Sequence, residues 1–367
     1  MPFRREWLLL ASYGTVLAFS WYGDVLLADL ADPVRLALVL LWLFGVVLGS
    51  SLRVVAHADE LAHRLGEPYG TLLLTLSVTF IEVMSIAAVM LHGENNPTLA
   101  RDTMFAVVMI VLNGMVGLSL LMGGWRHREQ VYNLQGANSY LGAIIPLVVL
   151  GLVLPSFTQT TPGPTLSGAQ QMFLVVVSVG LYAAFLAVQT GRHHGFFTLD
   201  DEASGDAARH KVPKGGGTHP ILHGALLVGY LVPIVFLAEH LAVPIDYLVE
   251  TLGVPVAFGG VLIATLVATP EAIGAIRAAS RNEIQRSINI FLGSVLSTIG
   301  LTVPAMILVS RLTGHDLILG VEHADLVMLL LTLTVSVITF ASGRTNVIQG
   351  AVHLVLFGAY LLLIVQD

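Results

Sequence analysis

The chain has 367 residues, of which 55% are hydrophobic and 11% charged. No water-soluble domain carries such a balance on its surface, so this is an integral membrane protein. It contains no cysteine, which excludes a disulfide framework, a thiolate metal site and a cysteine nucleophile. The net charge of −7 is spread over short connections and points to no nucleic-acid partner.

A spanning helix needs about 20 mostly apolar residues. Such runs fall at roughly 7–24, 35–52, 69–91, 103–124, 140–156, 170–190, 220–238, 255–277, 287–311, 324–341 and 345–365. The expected fold is therefore all-α and polytopic, with about eleven transmembrane helices. Arg4 and Arg5 ahead of apolar Trp7 to Trp21 mimic a secretory signal, but an uncleaved first helix is the simpler reading. Eleven crossings place the termini on opposite sides. Alternate connections on the side of the N-terminus hold fourteen of the seventeen basic residues, from Arg4 and Arg5 through Arg126, Arg128, Arg277 and Arg286 to Arg344; the other side holds Arg35, Arg101 and Arg311. This asymmetry predicts an inside N-terminus and an outside C-terminus.

Between the sixth and seventh runs lies a polar, Gly-rich connection, 191–219, that reads as a flexible inside linker. Its acids Asp200, Asp201, Glu202 and Asp206 suggest a solvated segment more than a regulatory cation site. The linker divides the chain into a leading helix (1–34), a first five-helix repeat (35–190) and a second five-helix repeat (220–367). The repeats are visible in sequence. Leu52–Pro68 aligns with Glu239–Pro255, matching Asp59 with Asp246, Leu61 with Leu248, Leu65 with Leu252, Gly66 with Gly253 and Pro68 with Pro255. A unit with an odd number of crossings reverses direction when repeated. The halves are thus inverted copies, the signature of secondary transporters with ion sites at the midplane.

Each half carries one acid within an apolar span, Glu82 and Glu271. A charge at a span centre costs roughly 2.5–3.5 kcal/mol on insertion scales, so an intramembrane acid is read as functional. Thr79 stands near Glu82, and Thr269 and Pro270 near Glu271. The spans that follow add Asn113, Ser294, Ser297 and Thr298. Taken singly, such hydroxyls usually bond their own backbone or aid packing. Pro270 removes a backbone donor, which predicts a broken helix with carbonyls free to bind a cation. The candidate cation ligands are Glu82, Glu271, Thr79, Thr269, Asn113, Ser294 and Ser297. All offer hard oxygens, which suit Ca²⁺, Na⁺ or K⁺ over zinc or copper. Two ionised carboxylates in a dry site repel each other and lose hydration, so an empty site recruits protons. Two protons or one Ca²⁺ neutralise the same pair, and a carrier that reorients only when neutral becomes a cation/proton antiporter.

The repeat pattern, the two acidic spans and the closing segment SGRTNVIQGAVHLVLFGAY (Ser342 to Tyr360) resemble the calcium/proton antiporter family of the calcium:cation antiporter superfamily, in its bacterial ChaA-type branch. The resemblance covers nearly the whole chain. It implies one leading helix before two five-helix repeats, Glu82 and Glu271 as the main cation and proton ligands, and Asn113, Ser294 and Ser297 as polar positions of the following spans. Many members carry Gly-Asn before each glutamate, where this chain has Phe80-Ile81 and Thr269-Pro270. Vacuolar members often place histidine after the second glutamate, where this chain has Ala272. The missing amides leave room for Na⁺ or K⁺ beside Ca²⁺. The expected protein is thus no enzyme and needs no cofactor. Its partners are inorganic cations, protons and the lipid of a bacterial cytoplasmic membrane. The rivals are a cation channel lined by the same acids and a membrane-embedded hydrolase. The hydrolase is disfavoured because no H-E-x-x-H, G-x-S-x-G or P-loop pattern occurs.

Overall fold

The computed structural model describes residues 6–65, 69–91, 96–191, 193–199 and 220–366. Arg4 and Arg5, the segment Gly66–Pro68, Arg192, the linker acids with Arg209, Lys211 and Lys214, and Asp367 lie outside the described residues.

Eleven helices account for almost all of the described chain. They are α1 (Trp7–Leu26), α2 (Pro33–Leu65), α3 (Tyr69–Leu91), α4 (Leu99–His127), α5 (Leu134–Ser156), α6 (Gly168–Thr190), α7 (Pro220–Thr251), α8 (Val256–Ser280), α9 (Ile284–Thr313), α10 (His323–Thr339) and α11 (Val347–Gln366). Among the described residues, nine are long and apolar enough to cross a membrane by length and composition. The other two are α1, whose 20 residues include two Trp and two Tyr, and α10, which has 17. Taken in order, the helices alternate between two faces. We call them the N face, where α1 begins, and the C face, where α11 ends.

Two helices are much longer than their apolar runs. α2 continues past residue 52 to Leu65, and α7 past 238 to Thr251. Hydropathy falls there because the turns become amphipathic. Ala58 and Leu61 stay buried while Arg64 pairs outward with Glu60 at 2.8 Å, an i,i+4 contact that supports helix beyond the apolar core. α7 likewise keeps Leu241, Ala242 and Ile245 buried.

The break expected at Pro270 does not occur. α8 is one continuous helix through that residue. The Thr269 hydroxyl bonds the Thr265 carbonyl at 2.5 Å, and Leu266, Val267 and Ala268 are buried around the lost backbone bond. The irregularity falls in the next helix of each half instead. α4 contains a π-turn at Ile110–Met115 and α9 one at Thr298–Thr302; π-turns widen a helix by one residue and often mark functional sites.

α2 and α7 lie against each other with α1 on both, α8 packs on α4 and α9, and α11 packs on α4. The last contact depends on glycine. A Cβ on Gly350 would lie 2.5 Å from the Leu121 nitrogen and 2.8 Å from the Gly117 oxygen, so only small residues permit the approach. On the N face, β1 (Gln130–Val131) pairs antiparallel with β2 (Arg344–Thr345), joining one connection from each half of the chain. On the same face, Glu6 accepts a 2.8 Å bond from the Tyr230 hydroxyl and pairs with Arg53. Burial pushes the Glu6 carboxyl up, but the Tyr230 bond and the Arg53 and His57 charges outweigh it and hold it below its ordinary 4.5. On the C face an extended strap ties three connections together. The Ile318 amide bonds Pro97 at 2.9 Å, Gly320 bonds Pro164 at 3.1 Å and Val321 bonds Leu152 at 2.9 Å, with Leu317, Leu319 and Val321 buried beneath.

Candidate functional site

The two glutamates come together through α9. Thr298 donates to Glu82 Oε2 at 3.1 Å, and Ser294 donates to Glu271 Oε2. These hydroxyls are four residues apart, so one helical face offers them about 6 Å apart. Glu82, on α3, thus lies within electrostatic reach of Glu271, on α8. Glu82 is 1% exposed. Its Oε1 has no hydrogen-bond partner, and neither do the hydroxyls of Thr79 and Ser85, which stand three residues to either side on the same flank of α3. Buried oxygens with unmet bonding capacity are rare in folded proteins. Here they border a carboxylate, an arrangement that a hard cation would satisfy.

Ser297 lies beside this face, its hydroxyl on the Ser294 carbonyl at 2.9 Å. Thr269 is turned back on its own helix. Asn113 is held by partners from the second half of the chain. Its amide donates to Thr332 at 2.8 Å and its oxygen lies 3.4 Å from His353 Nδ1, while His353 Nε2 is 2.9 Å from the Thr339 hydroxyl. This fully buried knot joins α4 to α10 and α11, with the Met109 sulfur 3.5 Å from the Asn113 amide. The structure also brings Thr302, which sequence reasoning missed, beside Glu82. Its signal was the four-residue spacing Ser294, Thr298, Thr302.

A cavity of about 570 Å³ leads to the pair from the N face. It is lined by Asp59, Tyr182, Gln189, Glu271, Arg286, Ser294 and Ser297 among others, while Glu82 is not part of its lining. At the C-face end, Arg101 donates to Asp102 at 2.7 Å and to the Gly320 carbonyl at 3.2 Å. Gly260 of α8 presses on this turn, since a Cβ there would lie 2.8 Å from the Asp102 carbonyl carbon. Among the described residues, the cavity that Glu271 lines opens toward the N face. Among the described residues no group of three or more His, Asp or Glu is poised to hold a metal. The oxygens of the site are two carboxylates and a set of hydroxyls.

Residues 35–191 and 222–366 each match the sodium/calcium exchanger protein family. The chain belongs to that family. This exchanger is 39% identical over 351 residues to the sodium-potassium/proton antiporter ChaA of Escherichia coli, covering 95% of its own chain and 93% of that protein. It is 44% identical to the protein y4hA of Sinorhizobium fredii, with 96% and 93% covered. Among solved structures the exchanger superposes on native YfkE with a TM-score of 0.73 at 16% identity, covering 97% of this chain and 99% of that one. The two share a nearly all-helical fold. Family membership makes the exchanger a secondary transporter, not an enzyme, and disfavours the channel reading.

Proposed function

We propose that this exchanger moves a hard cation, Ca²⁺ with Na⁺ or K⁺ as further substrates, against protons, using Glu82 and Glu271 as ligands shared by cation and proton. The observation that carries the reading is the bridge on α9: one helix presents Ser294 to Glu271 and Thr298 to Glu82, so a single ion between them meets both carboxylates and their hydroxyls. Thr79 and Ser297 complete the neutral oxygen set, with Thr269 and Asn113 supporting from their own turns. A cation neutralises the buried pair; so do protons. Because the pair cannot stay charged and empty at low cost, each ligand displaces the other. The relatives support both ion classes. One Escherichia coli relative is named for sodium and potassium, and the antiporter ChaA of Bacillus subtilis, 21% identical over 272 residues, for calcium.

The division into 1–34, 35–190, a 191–219 linker and 220–367 is supported by the family match falling twice. The Arg residues of the N face support a cytoplasmic position for it, and the bacterial relatives support a bacterial inner membrane. The cavity to Glu271 is then the cytoplasmic entrance. No cofactor is required for the exchange.

The test is transport by purified protein in vesicles containing a pH dye, with Ca²⁺, Na⁺ and K⁺ added in turn. Cation-triggered proton movement is expected in the wild type and absent in Glu82→Gln and Glu271→Gln. Movement that survives either substitution refutes the shared-ligand mechanism.

A further inference from the structure

Asp59 of α2 and Asp246 of α7 match across the repeat, 23 and 25 residues ahead of Glu82 and Glu271. Asp59 lines the N-face cavity that ends at Glu271. Asp246 lies near the C-face end of α7, is only 7% exposed, and its Oδ2 has no hydrogen-bond partner. The charge that acts on it is another acid, Glu250, one turn along the same helix. Burying a carboxyl group with an unmet oxygen and a like-charged neighbour costs stability, and a native protein keeps such a group for a reason.

The surroundings point to that reason. α8 begins beside Asp246, with a Cβ on Gly259 falling 3.0 Å from Ile245, and α4 begins against Gly260 through Asp102. The start of α8 thus packs beside this acid's turn, with the start of α4 against α8 in its turn. A second matched pair behaves in the same way. Gly-x-Tyr occurs at Tyr182 of α6 and Tyr360 of α11; both are buried, at 6% and 3% exposure, but Tyr182 borders the N-face cavity whereas Tyr360 is packed edge-on against Phe105. In each pair the N-face member lines a cavity and its C-face counterpart is shut in. Inverted repeats exchange their conformations when the site changes sides.

We propose that Asp59 and Asp246 are paired mouth carboxylates, each drawing a hydrated hard cation from its own face toward the glutamates, Asp246 doing so when the C-face half opens. The unmet Oδ2 is then an oxygen waiting for water and cation in the other state. A negative group at a narrow mouth concentrates cations and raises their rate of capture. This inference rests on the exchange reading above but assigns a place that reading does not use.

Two readouts test it on the full chain. In vesicles of determined orientation, Na⁺ is supplied at one face or the other to wild type, Asp246→Asn and Asp59→Asn, and proton movement is followed. Loss of one charge about 4 Å from a monovalent cation in water corresponds to about 1 kcal/mol, or about fivefold. Asp246→Asn is expected to raise the half-saturating concentration about fivefold at the C face and less than twofold at the N face, and Asp59→Asn the reverse. Equal shifts at both faces, or none, overturn the proposal. Second, because the chain has no cysteine, Asp246→Cys introduces one reporter for a cationic thiol reagent applied at the C face, with Gln159→Cys on an exposed C-face loop as control. Labelling at 246 is expected to change several-fold when the Na⁺ and proton gradients are reversed while labelling at 159 stays constant. Position 246 remaining unlabelled under both gradients overturns the proposal. If the wild type moves no protons with Na⁺, K⁺ or Ca²⁺, the exchange reading falls, and labelling alone still decides whether position 246 opens to the C face.

Discussion

Ser294→Ala removes one hydroxyl from the ion pair site and leaves the helix intact, so it isolates what the α9 bridge contributes. The Ser294 hydroxyl donates to Glu271, and a hydrogen bond to a charged group is worth about 1.5–3 kcal/mol. It favours the ionised, cation-holding form of the site over the protonated one, and its oxygen is also available to the ion. Both contributions vanish together in the variant. The same energy spans about 10- to 150-fold in affinity, and about one to two pH units in the competition between proton and cation. In dye-loaded vesicles at fixed pH, the half-saturating Na⁺ or Ca²⁺ concentration should therefore rise at least tenfold. The pH at which exchange is half-maximal should move up by at least one unit. Thr298→Val should act in the same direction through Glu82, and the double variant should fall short of the sum because one ion serves both groups. Ser294→Ala with a half-saturating concentration within twofold of wild type, in a background where Glu271→Gln is inactive, would refute the bridge as the basis of binding.

Gly350→Ala drives a methyl group into the backbone of α4 at Leu121 and Gly117, and should lower thermal stability in detergent by at least the 1–3 kcal/mol of an overpacked core, whereas Ala at Gly358, with open space around it, should not. Thr332→Val strands the Asn113 amide, leaving it only the Met109 sulfur; a loss of about 1–3 kcal/mol is expected, read as a lower melting temperature. Glu6 is held below its ordinary 4.5 by Tyr230, Arg53 and His57 against the opposing effect of burial. Its contribution is therefore complete above about pH 4.5 and is lost as pH falls through the lowered folded value. The stability difference between wild type and Glu6→Gln should stay constant from pH 7 to pH 5 and shrink below that; a difference that grows on acidification would contradict the assignment.

Much of this arrangement is legible from residue order, because the bilayer imposes a simple demand: backbone groups must be satisfied within each span, and charges inside it must have a purpose. That demand exposes the apolar runs, the Glu82 and Glu271 pair, and the Ser294 and Thr298 hydroxyls of the next span. Features outside the demand are hidden. The outer turns of α2 and α7 leave the apolar core while remaining helical, so hydropathy ends both helices too soon. Pro270 reads as a break, yet α8 continues through it with its neighbours buried. The π-turns at Ile110–Met115 and Thr298–Thr302 have no composition of their own. The hydrogen-bond partners of Asn113, Thr332 and His353, stand 219 and 240 residues away. Such a pairing cannot be found from spacing along one helix.

The strap on the C face has a mechanical consequence. By binding Pro97, Leu152 and Pro164 through Ile318, Val321 and Gly320, it welds the starts of α4, α6 and α10 and the end of α5 into one plate drawn from both halves of the chain. A plate tied at three points resists hinging within itself. The connection from α7 to α8 is not among its attachments: Val254 bonds back to Leu248 within its own turn. When the C face opens, the plate should therefore remain whole and the end of α7 should swing clear of its rim, carrying Asp246 with it. The hinge of the exchanger would then lie at the π-turn Tyr247–Thr251, where the helix is already loosened by one residue.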